Sequence, residues 1–457
     1  MSQLSASTTD STTWVTNAAA IWTDGESLPG ASLVVQGNQV REVLAPGETP
    51  SIRVTTRIDA TDCVILPGLV NCHHHFYQTL TRAFPSALNK ELFDWLVALY
   101  PVWAGLDEEA ISVSTTLALA ELMLSGCTLA SDHHYVFSDN TTLAIDRQFE
   151  AAEALGVRVV LTRGSMSRGE SLGGLPPDRV VQTPDVILED SERLIGRYHD
   201  PDAFAMQQLA LAPCSPFSVT DELMRDSATL ARRHGVRLHT HLAETEDEND
   251  FCLETVGMRP LDYIESLGWL ADDVWFAHGI HFNDDEISRL GAAGVGVSHC
   301  PCSNMLLSSG ICPVSDLEHA GVSVGIGVDG SASNDVSNMI GEVRQALLLQ
   351  KLRYGSAAIS HHDALRWATR GGADLFGRAE LGSLRPGMAA DFGIYALDTL
   401  NFSGHGDPVA ALLLCGATKV RDLMINGEWR VRHGEIPGLD IEDLKARHRA
   451  AAKRLAG

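Results

Sequence analysis

The chain has 457 residues, 45% of them hydrophobic and 20% charged, ordinary values for a soluble globular protein and too many residues for one small domain. Its formal net charge is -25, from 59 acidic and 34 basic side chains. That balance disfavours binding to nucleic acid or to an anionic membrane surface, both of which need basic patches, and favours a neutral or weakly charged small molecule over a polyanion. Residues 1–13 are polar and rich in Ser and Thr, without a basic region followed by an apolar run, and no apolar stretch matches a bilayer's thickness. The nine cysteines are scattered and odd in number, which reads as reduced thiols and a cytoplasmic location.

From Trp14 to Leu66 the pattern predicts short strands broken by Gly37-Asn38 and by Pro46, Gly47 and Pro50. Cys63 to Asn71 is one apolar run ending in a histidine cluster, and the strand is expected over 64–70. Ala110 to Met123 predicts a helix stopped at Ser125-Gly126. Further strands are predicted at Thr128–Ser131, Val157–Leu161, Ala205–Ala212, Val236–His241, Val274–His278, Val295–His299 and Val322–Val328. Helical stretches such as Thr220–His234 and Asp284–Ala293 lie between them. Eight strands alternating with helices imply an α/β fold, a closed parallel (β/α)8 barrel. Strand character returns at Ala389–Ile394 and at Val420–Val431, turned at Asn426-Gly427, and Asp440–Leu455 predicts a terminal amphipathic helix. The expected organisation is a barrel over 67–378 and a smaller β-rich domain built from 1–66 and 379–457.

Metal-competent side chains fall at the C-terminal ends of these strands, the barrel mouth where active sites are built. In His73-His74-His75, residues two apart share a side, so His73 and His75 converge while His74 points away. The fifth strand ends in His239-Thr240-His241 with Glu244 three residues on, the sixth in His278, the seventh in His299 and the eighth in Asp329. His73, His75, His241 and Asp329 are the expected ligands of one divalent ion. Three imidazoles and a carboxylate suit Zn2+, with Fe2+ as the main competitor. His239 and His281 read as structural or supporting residues. For His299, and for His133-His134 at a strand end, a structural role and a place in the site stay open.

These residues also carry a family resemblance. Pro67-Gly68-Leu69-Val70-Asn71-Cys72-His73-His74-His75 resembles the first-strand motif of the amidohydrolase superfamily. His241-Leu242-Ala243-Glu244 resembles its fifth-strand motif, Ser298-His299-Cys300-Pro301 with Ser303-Asn304 its seventh, and Gly327-Val328-Asp329-Gly330 with Ser333-Asn334 its eighth. Gly382 to Asp391 and Val420 to Gly427 resemble the family's return to its β domain. Some members bridge two metals with a lysine on the fourth strand. Here no lysine occurs between Glu91 and Gln350, which leaves the one-metal deaminase branch.

Within that branch, the stretch from His73 through Gln78 and Arg82 to Trp95 is similar to 8-oxoguanine deaminases and hydroxytriazine aminohydrolases. The resemblance implies hydrolytic loss of ammonia from an aminated heterocycle, 8-oxoguanine first. Asp329 and His278 would handle the water, and Glu244 would shuttle the proton to a ring nitrogen. Gln78 can pair with an N–H/C=O edge. Trp95, Tyr100 and Trp103 can stack or pack. Guanine deaminases carry Arg after the proline that matches Pro213, where this chain has Cys214, a departure that disfavours plain guanine. A guanine or hydroxytriazine aminohydrolase is the alternative, and a non-catalytic scaffold the alternative of another class. Self-association into a homo-oligomer stays open.

Overall fold

Residues 11–457 are described in the computed structural model of the chain. Most of the polar 1–13 stretch lies outside them. Eight parallel strands close into a barrel: β1 Leu69–Asn71, β2 Cys127–His134, β3 Arg158–Ser165, β4 Gln207–Pro213, β5 Leu238–Leu242, β6 Val274–His278, β7 Gly296–His299 and β8 Ser323–Ile326. Helices cover the outside, so both faces of strands such as β2, β3 and β5 are buried. The helices start and stop on local signals. Asp107 accepts the Ala110 N–H at 2.7 Å to open Glu108–Leu124, and an Asn283/Glu286 capping box opens Asp284–Ala293. Gly156, Gly235 and Gly294 adopt left-handed conformations that end three of the helices and turn the chain toward the next strand.

The two chain ends meet in a second body of two sheets. A six-stranded sheet runs in the order Glu428–Val431, Asp422–Ile425, Phe392–Ala396, Cys63–Pro67, Ala20–Thr23, Glu26–Pro29. A four-stranded sheet runs Gln39–Leu44, Ser32–Gln36, Thr12–Thr16, Thr56–Asp59. Ile21, Leu33, Ile65, Phe392 and Met424 form part of the core between them. The Asn426-Gly427 turn has positive φ at both residues, 51° and 81°, the twist that a two-residue hairpin needs.

The apolar run at 64–70 is not one strand. Cys63–Pro67 pairs with Phe392–Ala396 in the small sheet, whereas Leu69–Asn71 enters the barrel beside Cys127–Ala130. Gly68 makes the switch: a Cβ there would collide with the Thr128 side chain. Strand β2 runs three residues beyond its predicted end, so His133 and His134 lie within it. Among the described residues no helix is long and apolar enough to cross a membrane.

Candidate active site

His73 and His75 follow β1, His241 lies in β5, His278 ends β6, and Asp329 follows β8. All are buried, and their side chains converge. Asp329 Oδ1 lies 3.3 Å from His73 Nε2 and 3.2 Å from His75 Nε2, and His241 Nε2 lies 3.2 Å from His75 Nε2. The expected ligand set is therefore brought together. His278 joins His73 and Asp329 in one close group. His74 points away and meets the Ser337 hydroxyl at 2.9 Å.

The second nitrogen of each ligand ring decides what the first can do. His75 Nδ1 donates to the His133 carbonyl at 2.7 Å, and His241 Nδ1 to the Cys214 carbonyl at 2.7 Å. His239 Nδ1 donates to the Trp275 carbonyl at 2.8 Å, which leaves its Nε2 to accept from His73 Nδ1 at 2.8 Å. With their Nδ1 protons committed, three Nε2 lone pairs face one another and a carboxylate oxygen. Like partial charges so close in a dry interior repel unless a cation lies among them. The donor set fits a divalent ion on chemistry as well as on spacing.

The protonation balance makes the same demand. Burial pushes His241 down to about 3 and His73 well below its ordinary value. Burial also pulls His75 down, but its contact with Asp329 outweighs that and holds it above the usual value. Asp329 is held well below the usual carboxylate range because its contacts with His73 and His75 outweigh burial.

His239 is thus the residue that orients His73. Period-two spacing puts it on the same side of the strand as His241, but spacing alone does not tell ligand from supporter. His133 belongs to the same tight group and stacks on His241, with ring centroids 4.7 Å apart. Its Nε2 is committed to the Ala212 carbonyl at 2.8 Å. His299 stands apart, its Nε2 taking the Gln350 amide at 3.3 Å. His281 bridges Glu246 and the Ser309 carbonyl. His134 packs on Phe137 and Tyr77.

Above the cluster a cavity is lined by His75, His241 and Asp329 and by Gln78, Trp95, Tyr100, Cys214, Phe217, Glu244 and His278. Gln78 is 1% exposed, and neither amide atom has a hydrogen-bond partner among the described residues. Gly330 makes room for it: a Cβ there would run into the Gln78 amide. The helix Leu92–Trp103 roofs the cavity with Trp95 and Tyr100, while Trp103 packs beneath and donates to Thr81 Oγ1 at 3.2 Å. Tyr135, Leu307 and Ser333 also line it, and only a period-two or motif signal too weak to single them out pointed there.

Glu244 is 5% exposed, with its carboxyl pushed well above its ordinary value by burial and then by the charge of Asp329. Its Oε2 lies 3.4 Å from His278 Nε2. His278 Nδ1 pairs with Asn304 Oδ1 at 3.0 Å, which turns the Nε2 lone pair toward the cavity. Ala243, His278 and Asp329 all have left-handed φ, 54°, 74° and 60°, a conformation costing about 1–2 kcal/mol for a residue with a Cβ. Three such residues therefore meet at the barrel mouth.

Comparison with known proteins agrees with this geometry. The model of the amidohydrolase family matches residues 64–430. The chain is 56% identical to 8-oxoguanine deaminase of Pseudomonas aeruginosa over 97% of its own length and 99% of that protein. It is 39% identical to hydroxydechloroatrazine ethylaminohydrolase of Pseudomonas sp. strain ADP, over 92% and 90% of the two chains. The crystal structure of atrazine chlorohydrolase from Arthrobacter aurescens TC1 complexed with zinc superposes with a TM-score of 0.91 at 30% identity, over 96% of this chain and 100% of that one. A barrel mouth that gathers metal-competent side chains, a buried glutamate beside them and a match over most of the length lead to one conclusion: the chain belongs to the amidohydrolase family.

Proposed function

We propose that the protein is a metal-dependent aminohydrolase that converts 8-oxoguanine and water to urate and ammonia, with His73, His75, His241 and Asp329 holding one zinc ion. Fe2+ is the competing metal, because the same ligand set accepts it. A divalent ion in this set supplies Lewis-acid activation of water near neutral pH. The rest is the work of this chain's own groups. Asp329 can accept the proton that the water gives up. His278, its Nδ1 committed to Asn304, offers a lone pair that orients that water. Glu244, whose carboxyl is held above its ordinary value by burial, gives a proton to the ring nitrogen beside the amino-bearing carbon. The carbon becomes electrophilic, water adds, the proton taken up by Asp329 passes to the amino group, and the C–N bond breaks as ammonia leaves while the added hydroxyl returns a proton to Glu244.

The observation that carries this reading is the opposition of Glu244 to the lone-pair cluster across one small cavity. Positioned acid–base groups of this kind contribute about 10²–10⁴-fold each. The unpaired amide of Gln78 supports a substrate with an adjacent N–H and C=O, and Cys214, on the cavity wall, supports a purine other than guanine. The similarity to the 8-oxoguanine deaminase supports the same choice. A hydroxytriazine is the second reading, favoured by the 39% identity to the ethylaminohydrolase. The proposal extends to a cytoplasmic enzyme, open to self-association, with the β domain formed from 1–66 and 379–457. The test is kcat/KM for 8-oxoguanine, guanine, isocytosine and a hydroxytriazine on one preparation. 8-Oxoguanine should lead, with guanine clearly poorer. Guanine or the triazine ahead by about tenfold would overturn the substrate and leave the hydrolase standing; a site whose polar groups stay unpaired with the wrong ligand discriminates by far more than that.

A further inference from the structure

The glutamate proposed as proton shuttle sits on a loop, and a loop does not fix a carboxyl by itself. Glu248, in the helix Glu246–Val256, is 0% exposed and does not line the cavity. Its Oε1 accepts the Ala243 N–H and its Oε2 the Glu244 N–H, both at 3.1 Å. In a capping box the third helical residue reaches back to the amide of the cap residue. Here the cap residue is Thr245, and the carboxylate passes over it to the two amides before it. These are the amides of the strained Ala243, φ 54°, and of Glu244 itself. The same loop is tied to its neighbour. The Leu242 carbonyl accepts the Gly279 N–H at 3.1 Å, and the Ala243 carbonyl accepts the N–H groups of Ile280 and His281 at 2.8 and 3.0 Å. The loop that carries Glu244 is therefore tied to the chain just after His278 at the end of β6, and Glu248 is the side chain that clamps it.

We propose that Glu248 is the positioning residue of Glu244: its carboxylate grips two successive backbone amides in a left-handed turn and so fixes where the Glu244 carboxyl meets the substrate. Only a carboxylate accepts from both amides. The Glu248→Gln side chain turns an NH₂ group toward one of them, and the turn is free to relax. A misplacement on the scale of an ångström at a reacting group costs about 100-fold in rate.

This inference rests on the reading of Glu244 as the shuttle, so the experiment separates the two. The variants are Glu248→Gln, Glu244→Gln and the double substitution, each assayed with zinc bound and 8-oxoguanine as substrate. Glu248→Gln should lower kcat about 10- to 100-fold while KM and bound metal stay within about threefold of the parent. Glu244→Gln should lower kcat further. The double variant should match Glu244→Gln, because a clamp has no effect on a shuttle already removed. Should Glu248→Gln not fold, Glu248→Asp, which keeps the charge but reaches less far, takes its place in the same cycle. Near-parental turnover in Glu244→Gln sinks the shuttle reading. A dead Glu244→Gln with an unaffected Glu248→Gln, with a Glu248→Gln that loses metal or KM in place of kcat, or with losses that multiply in the double variant, overturns the positioning role alone.

Discussion

Replacing His239 by Phe isolates the relay that presents His73 to the ion. The imidazole is fully buried and lies flat on Trp275, with ring centroids 4.3 Å apart and 14° between planes, so a phenyl ring keeps the packing. What is lost is two hydrogen bonds of 2.8 Å: one to the Trp275 carbonyl and one from His73 Nδ1. The His73 Nδ1 proton is then left without an acceptor in a dry interior, a cost of about 1–3 kcal/mol to the fold. Its ring is also free to choose the tautomer that places a proton on Nε2, where the metal should sit. Loss of such a supporting partner lowers metal affinity about 10- to 100-fold. At 1.4 kcal/mol per decade, that is about 1.4–2.8 kcal/mol. Competition with a chromogenic chelator measures the affinity, and His299→Phe is the control. His299 is equally buried in the barrel but hydrogen-bonds Gln350 instead of a ligand, so its removal should leave metal affinity unchanged. Equal affinity in parent and His239→Phe, or an equal loss in both variants, would refute the relay.

Two further outcomes follow from the same geometry. Glu342 is buried, accepts from Cys302 N at 2.8 Å and from Asn334 Nδ2 at 2.9 Å, and is pushed up to about 7 by burial. A carboxyl raised in the fold keeps a proton that the unfolded chain has released, so it costs stability as pH rises from about 4.5 and no more above about 7. Glu342→Gln should therefore gain on the parent by about 3 kcal/mol between pH 4.5 and 8 in denaturant unfolding, and a difference independent of pH would show that Glu342 ionises normally. Gly330→Ala drives a methyl into the Gln78 amide and should raise KM for 8-oxoguanine while bound metal is retained; an unchanged KM would remove Gln78 from substrate recognition.

Much of this was legible in the residues because a barrel writes its plan in long apolar runs with metal-binding side chains at their ends. His73 and His75 are two apart on one strand, and their convergence follows from the pleat. His241 and Asp329 fall at corresponding strand ends 166 and 88 residues from His75 and His241 respectively. The run at 64–70 misled for a physical reason: both sheets want the same buried apolar residues, and only the crowding of Gly68 against Thr128 marks where the chain changes sheets. Neither could alternation separate His241, the proposed ligand, from His239, the proposed supporter, since the difference lies in what the far ring nitrogen meets. Trp95 and Tyr100 were visible as aromatics, but their place in the cavity roof and the place of Trp103 below it depend on how the helix Leu92–Trp103 lies on the mouth. Glu248 gave no signal beyond three acidic residues opening a helix.

The claim beneath all of this is that one divalent ion, held by His73, His75, His241 and Asp329, makes the protein a deaminase. Metal-stripped protein titrated with zinc, with ammonia release from 8-oxoguanine read at each step, tests it directly. Activity should be absent without metal and rise in proportion to a plateau at about one equivalent per chain, as a single three-histidine, one-carboxylate site requires. Full activity in the stripped protein, or a plateau reached only at about two equivalents, would contradict it.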